Sequence, residues 1–138
     1  MKEELKEIVE RAWENREMLR DNKIQEAIRS VVDQMDRGEL RIAEKVGGSW
    51  LVNEWLKKAV ILYFPINQMK TMEVGPFEFH DKIELKHNYA EQQVRVVPHA
   101  IARHGAYLAP GVVMMPSYVN IGAYVDSGTM GDTWATVG

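Results

Sequence analysis

The chain contains no cysteine among its 138 residues. This absence excludes disulfide bonds, thiolate metal ligands and a cysteine nucleophile, and it fits a reducing compartment. Long apolar runs are also missing, because the longest, at 59–64, is far too short to cross a bilayer. The first ten residues are highly charged and lack the apolar region of a signal peptide. We therefore expect a cytoplasmic protein with no membrane partner.

The chain also lacks any concentration of positive charge. Its formal net charge is −3, and no stripe of lysine and arginine runs along the sequence. Nucleic-acid-binding domains usually carry such a stripe, so a nucleic acid is not expected as a partner.

Three amphipathic segments predict helices in the N-terminal part. The first has an apolar face that includes Leu5 and Trp13, and the second runs from a cap at Asp21 or Asn22 to Gly38. The third begins after Asn53 and ends at Phe64, before Pro65; it is apolar on most sides, so we expect it to be the most buried. Its polar edge, Lys57 and Lys58, is interpreted as solvated rather than as a site for an anionic substrate.

Strands are indicated more weakly before residue 98. Leu40, Ile42 and Val46 favour a short strand, and Gly47–Gly48 is a hairpin signal that leads to Trp50 and Val52. A turn is expected at Gly75–Pro76. It is followed by an alternating edge strand (Phe77, Phe79, Ile83, Leu85) and by a β run from Val94 to Val97.

The strongest pattern is a period of six residues over 101–138. The first position of each hexad is apolar except at Gly131, and the fifth position is always small. The first positions are Ile101, Tyr107, Val113, Val119, Val125, Gly131 and Val137, and the fifth are Gly105, Gly111, Ser117, Ala123, Thr129 and Ala135. This period is typical of a hexapeptide parallel β-helix, in which the large residue fills the inside of a three-sided coil and the small one lies at a corner.

The fold prediction is therefore an α+β chain: a mainly helical domain at 1–98, then the start of a β-helix at 99–138. Three hexads form a coil of about 18 residues, so 101–136 supply two coils. Asp126 and Asp132 fall on neighbouring faces and are not expected to form a carboxylate pair. No capping residues close the last coil, which indicates an incomplete chain.

Specific motifs resemble the tetrahydrodipicolinate N-succinyltransferase family. Residues 115–126 read MPSYVNIGAYVD, 128–130 read GTM and 132–138 read DTWATVG. Further matches in the same order are AEK at 43–45, WLKKAV at 55–60 and RVVP at 95–98. The resemblance covers essentially the whole chain.

The resemblance implies an enzyme of lysine and diaminopimelate biosynthesis that moves a succinyl group from succinyl-CoA to the amino group of 2-amino-6-oxopimelate. It implies a left-handed β-helix, a homotrimer with sites between subunits, and no permanently bound cofactor or metal. By motif, Arg95 corresponds to the substrate-binding arginine. Asp132 corresponds to the catalytic, substrate-binding aspartate beside the acceptor amine.

Two departures from the family qualify these expectations. The family usually has an aliphatic residue at the position of Gly131, so we expect a locally loosened second coil. The coils that would bind succinyl-CoA are not among these 138 residues. We therefore expect the chain to be inactive alone.

Other functions remain open from the residues themselves. Another hexapeptide acyltransferase would use a histidine base, for which His99 and His104 are candidates. A non-catalytic oligomerising module is a second alternative. A metal site built from His80, His87, His99 and His104 is the weakest, since no ligand motif supports it.

Overall fold

Three α-helices build the N-terminal part of the computed structural model, which describes residues 1–138. They are α1 (Lys2–Glu14), α2 (Asn22–Asp36) and α3 (Glu54–Tyr63), and a 3₁₀ turn at Arg16–Arg20 joins the first two. The cap of α2 is the predicted Asp21, whose carboxylate accepts a hydrogen bond from the Lys23 N–H at 2.8 Å. None of the helices combines the length and the apolar character needed to cross a bilayer.

The helices bury one apolar core, and α3 is the most deeply buried, as predicted. Half of its residues are buried: Trp55, Leu56, Ala59, Leu62 and Tyr63. Asn53 holds the N-cap position, but its side chain makes no cap hydrogen bond. It donates instead to the Arg41 carbonyl and the Glu44 carboxylate, at 2.8 and 3.0 Å, and so ties the helix to the preceding segment.

Two antiparallel hairpins are attached to this core. β1 (Ala43–Val46) pairs with β2 (Ser49–Val52) through Gly47–Gly48, both at positive φ, as the tight hairpin turn requires. Leu40 and Ile42 precede β1, so the strand prediction was wrong there. β3 (Lys70–Val74) pairs with β4 (Phe77–Asp81) around the predicted turn.

The second hairpin corrects the sequence prediction in two ways. β3 was missed because four of its five residues are exposed and give no alternating pattern. Ile83 and Leu85 were wrongly assigned to the strand that ends at Asp81. Ile83 enters the helical core, and Leu85 forms an isolated bridge with Arg103.

Eight short parallel strands follow and stack on three sides. They are β5 (Arg95–Val96), β6 (Ile101–Ala102), β7 (Tyr107–Leu108), β8 (Val113–Met114), β9 (Tyr118–Val119), β10 (Tyr124–Val125), β11 (Met130–Gly131) and β12 (Thr136–Val137). Their sheets are β5–β8–β11, β6–β9–β12 and β7–β10. The coarse prediction of a helical part followed by parallel coils is confirmed. The boundary at 98 stays a prediction, and β5 lies on its N-terminal side.

The repeat does not keep one frame throughout. Met114 and Val119 are consecutive buried strand positions only five residues apart, whereas Ala102, Leu108 and Met114 follow one another at six. The inward residues of the first coil are therefore Ala102, Leu108 and Met114. Ile101, Tyr107 and Val113, which the hexad frame placed inside, are half-exposed. Adjacent apolar pairs such as Tyr107–Leu108 concealed the shift, because either member could fill the interior.

A buried ionic contact joins the helices to the stack. The Lys86 ammonium is 2.8 Å from the Asp36 carboxylate and 3.0 Å from the Asp36 carbonyl, and Lys86 is only 4% exposed. The same carboxylate accepts the Gly105 N–H at 2.8 Å. The end of α2 is thereby fixed against the first coil.

Removing Asp36 should destabilise the whole chain. In Asp36→Ala the buried Lys86 charge loses its partner, so the free energy of unfolding should fall by about 3–5 kcal/mol in urea titrations followed by tryptophan fluorescence. The control is Glu39→Ala, because Glu39 pairs with Arg37 on the surface and should matter little. Equal effects of the two substitutions would show that the Asp36 contact is not structural.

Adding a methyl group at Gly131 should stabilise the stack. Gly131 is the inward position of β11, and its φ is one that any residue can adopt. An added Cβ would lie 3.3 Å from the Ser117 hydroxyl oxygen. That hydroxyl is buried without a hydrogen-bond partner and can rotate away. Gly131→Ala should raise the free energy of unfolding by about 0.5–1 kcal/mol. In Gly128→Ala the added methyl group lies in open space, but the φ of +76° strains a residue that has a Cβ. This substitution should therefore lower the free energy of unfolding. The reverse order would contradict this account. The loosened coil expected from Gly131 stays a prediction. The Thr129 and Gly131 carbonyls accept hydrogen bonds from the Val113 and Met115 N–H groups at 3.0 and 2.8 Å, so the backbone ladder continues here.

Candidate functional site

Arg95 lies on one outer strand of a three-stranded sheet, and Asp132 directly follows the end of the other outer strand. Arg95 on β5 is in register with Val113 on β8, which is in register with Met130 on β11. Asp132 comes two residues after Met130, at the start of the corner that follows the last residue of β11. Two strand spacings separate the backbones by about 10 Å across the sheet, which leaves room for a small ligand.

Asp132 begins a tightly hydrogen-bonded corner. One carboxylate oxygen accepts the Thr133 N–H at 2.7 Å, and its carbonyl accepts the Ala135 N–H at 3.0 Å. The Trp134 N–H donates to the Pro116 carbonyl of the coil below at 2.7 Å. The corner is therefore fixed, and the second carboxylate oxygen remains available to a ligand. Both Arg95 and Asp132 are exposed, so this chain alone does not bury either group.

An aromatic rim that the sequence did not predict lies beside this corner. The His99 ring is 5.4 Å from that of Phe77 and 6.3 Å from that of Trp134, which is 77% exposed. A cavity of about 300 Å³ is lined by His99 and Trp134 together with Phe79, Pro116 and Tyr118. An alignment of successive coils that included 97–100 would have shown that His99 and Trp134 occupy the same corner.

The other candidate residues do not join this site. Asp126 has the same local geometry as Asp132, with its carboxylate 2.7 Å from the Ser127 nitrogen, but it follows β10 in a different sheet. The two aspartates thus follow strands of different sheets, as the sequence predicted, and the absence of a carboxylate pair stays a prediction. His104 lies 2.8 Å from the Asp33 carboxylate, and His80 is 2.9 Å from the Thr71 hydroxyl. The histidines thus lie in separate environments, and no cluster able to hold a metal ion is formed.

Comparisons with known proteins agree on one family. The family model described as "Tetrahydrodipicolinate N-succinyltransferase N-terminal" matches residues 4–66. Proteins named 2,3,4,5-tetrahydropyridine-2,6-dicarboxylate N-succinyltransferase from Acinetobacter baylyi and Idiomarina loihiensis are 48% and 47% identical over 98% and 99% of this chain. One from Burkholderia mallei is 48% identical over 91%. The chain spans about half the length of these relatives, from 50% to 53%. The chain belongs to the tetrahydrodipicolinate N-succinyltransferase family.

Proposed function

We propose that this chain serves the transfer of a succinyl group from succinyl-CoA to the amino group of 2-amino-6-oxopimelate, in lysine and diaminopimelate biosynthesis. The observation that carries the proposal is that Arg95 lies on β5 and Asp132 directly follows β11 of the same sheet, with both residues exposed, in a chain of this family. A cytoplasmic location, a left-handed coil and a homotrimer belong to the same proposal. We place the succinyl-CoA site in the part of the relatives' length that this chain does not span.

Each of the two residues has a defined task in this reaction. The guanidinium of Arg95 makes a fork of N–H donors that matches a carboxylate of the acceptor and holds it. The free oxygen of Asp132 accepts a hydrogen bond from the acceptor amine and takes up its proton. The neutral amine nitrogen then bonds to the thioester carbonyl carbon as the C–S bond breaks, and the leaving CoA thiolate takes up the proton that this nitrogen loses on becoming an amide. No acyl-enzyme is needed, which suits a chain without cysteine.

The exposure of both side chains requires a second protein surface in this proposal. A thioester close to water would be hydrolysed, so the acceptor site has to be covered during transfer. A neighbouring subunit of the proposed trimer is suited to this role, because both residues lie on an outer face of the stack.

The histidine-base alternative now depends on one residue. His104 is held by Asp33, with its other ring nitrogen 3.4 Å from Asp36, so it serves the contact between helices and stack. His99 has no hydrogen-bond partner in its corner. An acyltransferase that used His99 would lose activity on its replacement and would not require a dicarboxylate acceptor.

Binding of the unreactive analogue 2-aminopimelate tests the proposal. Calorimetric titration should show binding that Arg95→Ala and Asp132→Asn each weaken by about tenfold or more, since charge-assisted hydrogen bonds are lost. Asp126→Asn is the matched control and should bind like the unmodified chain. Binding that depends equally on Asp126 and Asp132, or no binding to a chain that sediments as a trimer, would contradict the proposal and favour a non-catalytic module.

Activity measurements should separate the chain from a longer protein. With succinyl-CoA and the amino-oxopimelate, release of free CoA thiol should be seen for a version extended to the relatives' full length, and not for the 138 residues alone. Full activity of the short chain would overturn our placement of the succinyl-CoA site.

A further inference from the structure

At five corners of the stack, the third residue after a strand has a left-handed backbone. After β6, β7, β9 and β10 this residue is a glycine, with a φ between +76° and +95°: Gly105, Gly111, Gly122 and Gly128. After β11 the same position is Trp134, with a φ of +64°. This backbone conformation is unfavourable for a residue with a Cβ, and a bulky residue held in it points to a functional constraint.

The corner at 126–129 shows that a glycine is sufficient to form this turn. Like the corner at 132–135, it begins with an aspartate whose carboxylate accepts the N–H of the next residue at 2.7 Å. The hydrogen bond from the fourth N–H to the first carbonyl is 3.4 Å long at 126–129 and 3.0 Å at 132–135. The Trp134 N–H adds a bond to the Pro116 carbonyl at 2.7 Å. The indole ring is therefore not needed for the turn itself.

The Trp134 ring connects its corner to a coil two levels earlier. It lies 6.3 Å from the His99 ring, edge to face, and His99 belongs to the corner that follows β5. The His99 ring is in turn 5.4 Å from that of Phe77 on β4. Arg95 lies on β5, four residues before His99. The row of rings thus joins the corner that begins at Asp132 to the coil that carries Arg95.

We propose that Trp134 is a positioning residue that fixes the distance between Asp132 and Arg95 and so selects the length of the acceptor. This inference rests on the proposed function, in which Asp132 binds the amine, and it assigns to Arg95 the carboxylate farther from that amine. With glycine in place of Trp134 the corner would gain backbone freedom and lose its contact with His99. A rigid corner cannot follow an acceptor that is one methylene shorter or longer, so one of the two charge-assisted contacts is weakened.

Calorimetric titration with 2-aminopimelate, 2-aminoadipate and 2-aminosuberate tests this selection, since the last two are one methylene shorter and longer. The unmodified chain should bind 2-aminopimelate about tenfold more tightly than either neighbour. Trp134→Gly should weaken 2-aminopimelate about fivefold or more and reduce the preference to about twofold, and Trp134→Phe, which keeps a ring, should restore most of it. Trp134→Gly should not lower the urea midpoint of unfolding, because glycine adopts this φ without strain. A lowered midpoint with an unchanged preference would overturn the proposal.

His99→Ala removes the other ring of the contact. It should reduce the length preference as Trp134→Gly does, and the double variant should have no larger effect, because both changes break one contact. Trp50→Ala, on the β1–β2 hairpin, is the control and should leave the preference unchanged. Additive effects of the two ring variants would overturn the positioning role. If the unmodified chain bound none of the three ligands, the proposed function itself would fail. Binding with the same preference in Trp134→Gly would overturn only the inference about Trp134.

Discussion

The inward side chains of the parallel stack have to lie above one another, and this constraint positions the candidate site. Val96, Met114 and Gly131 form one column, and Ala102, Val119 and Val137 form another. The register that stacks them also aligns Arg95 with Val113 and Met130, and Asp132 begins the corner two residues after Met130. A shift of one residue would turn every outward side chain of a strand inward. The proposed binding of one acceptor by Arg95 and Asp132 together therefore depends on the packing of residues that touch no ligand.

The helical part holds the stack at two of its corners. At the first coil, a Cβ on Gly105 would come within 2.9 Å of Val32 on α2, so the backbone approaches the helix closely. At the next coil, a Cβ on Gly122 would come within 2.8 Å of Ile42, which directly precedes β1. Both contacts need a residue without a side chain. Because they lie away from the Asp132 corner, the helices support the coils without covering the acceptor face.

Short-range sequence patterns predicted the elements that interactions between neighbouring residues determine. The three helices and the Gly47–Gly48 hairpin followed from apolar spacing, caps and turn residues. The hexads predicted coils, but not the five-residue step between Met114 and Val119, because neighbouring apolar residues hid it. β3 is mostly exposed and gave no pattern. The family motif predicted Arg95 and Asp132 as site residues, whereas their positions on β5 and directly after β11 of one sheet, and the His99–Trp134 rim, became visible only with the register.

The exposure of the candidate site bears on the proposed acyl transfer, which would need a second surface. Asp132 faces outward at a rigid corner, and the adjacent Trp134 and Phe77 present apolar area to solvent. Apolar rings around a charged pair would exclude water once a second surface covers them, and this strengthens the interaction of Asp132 with an amine.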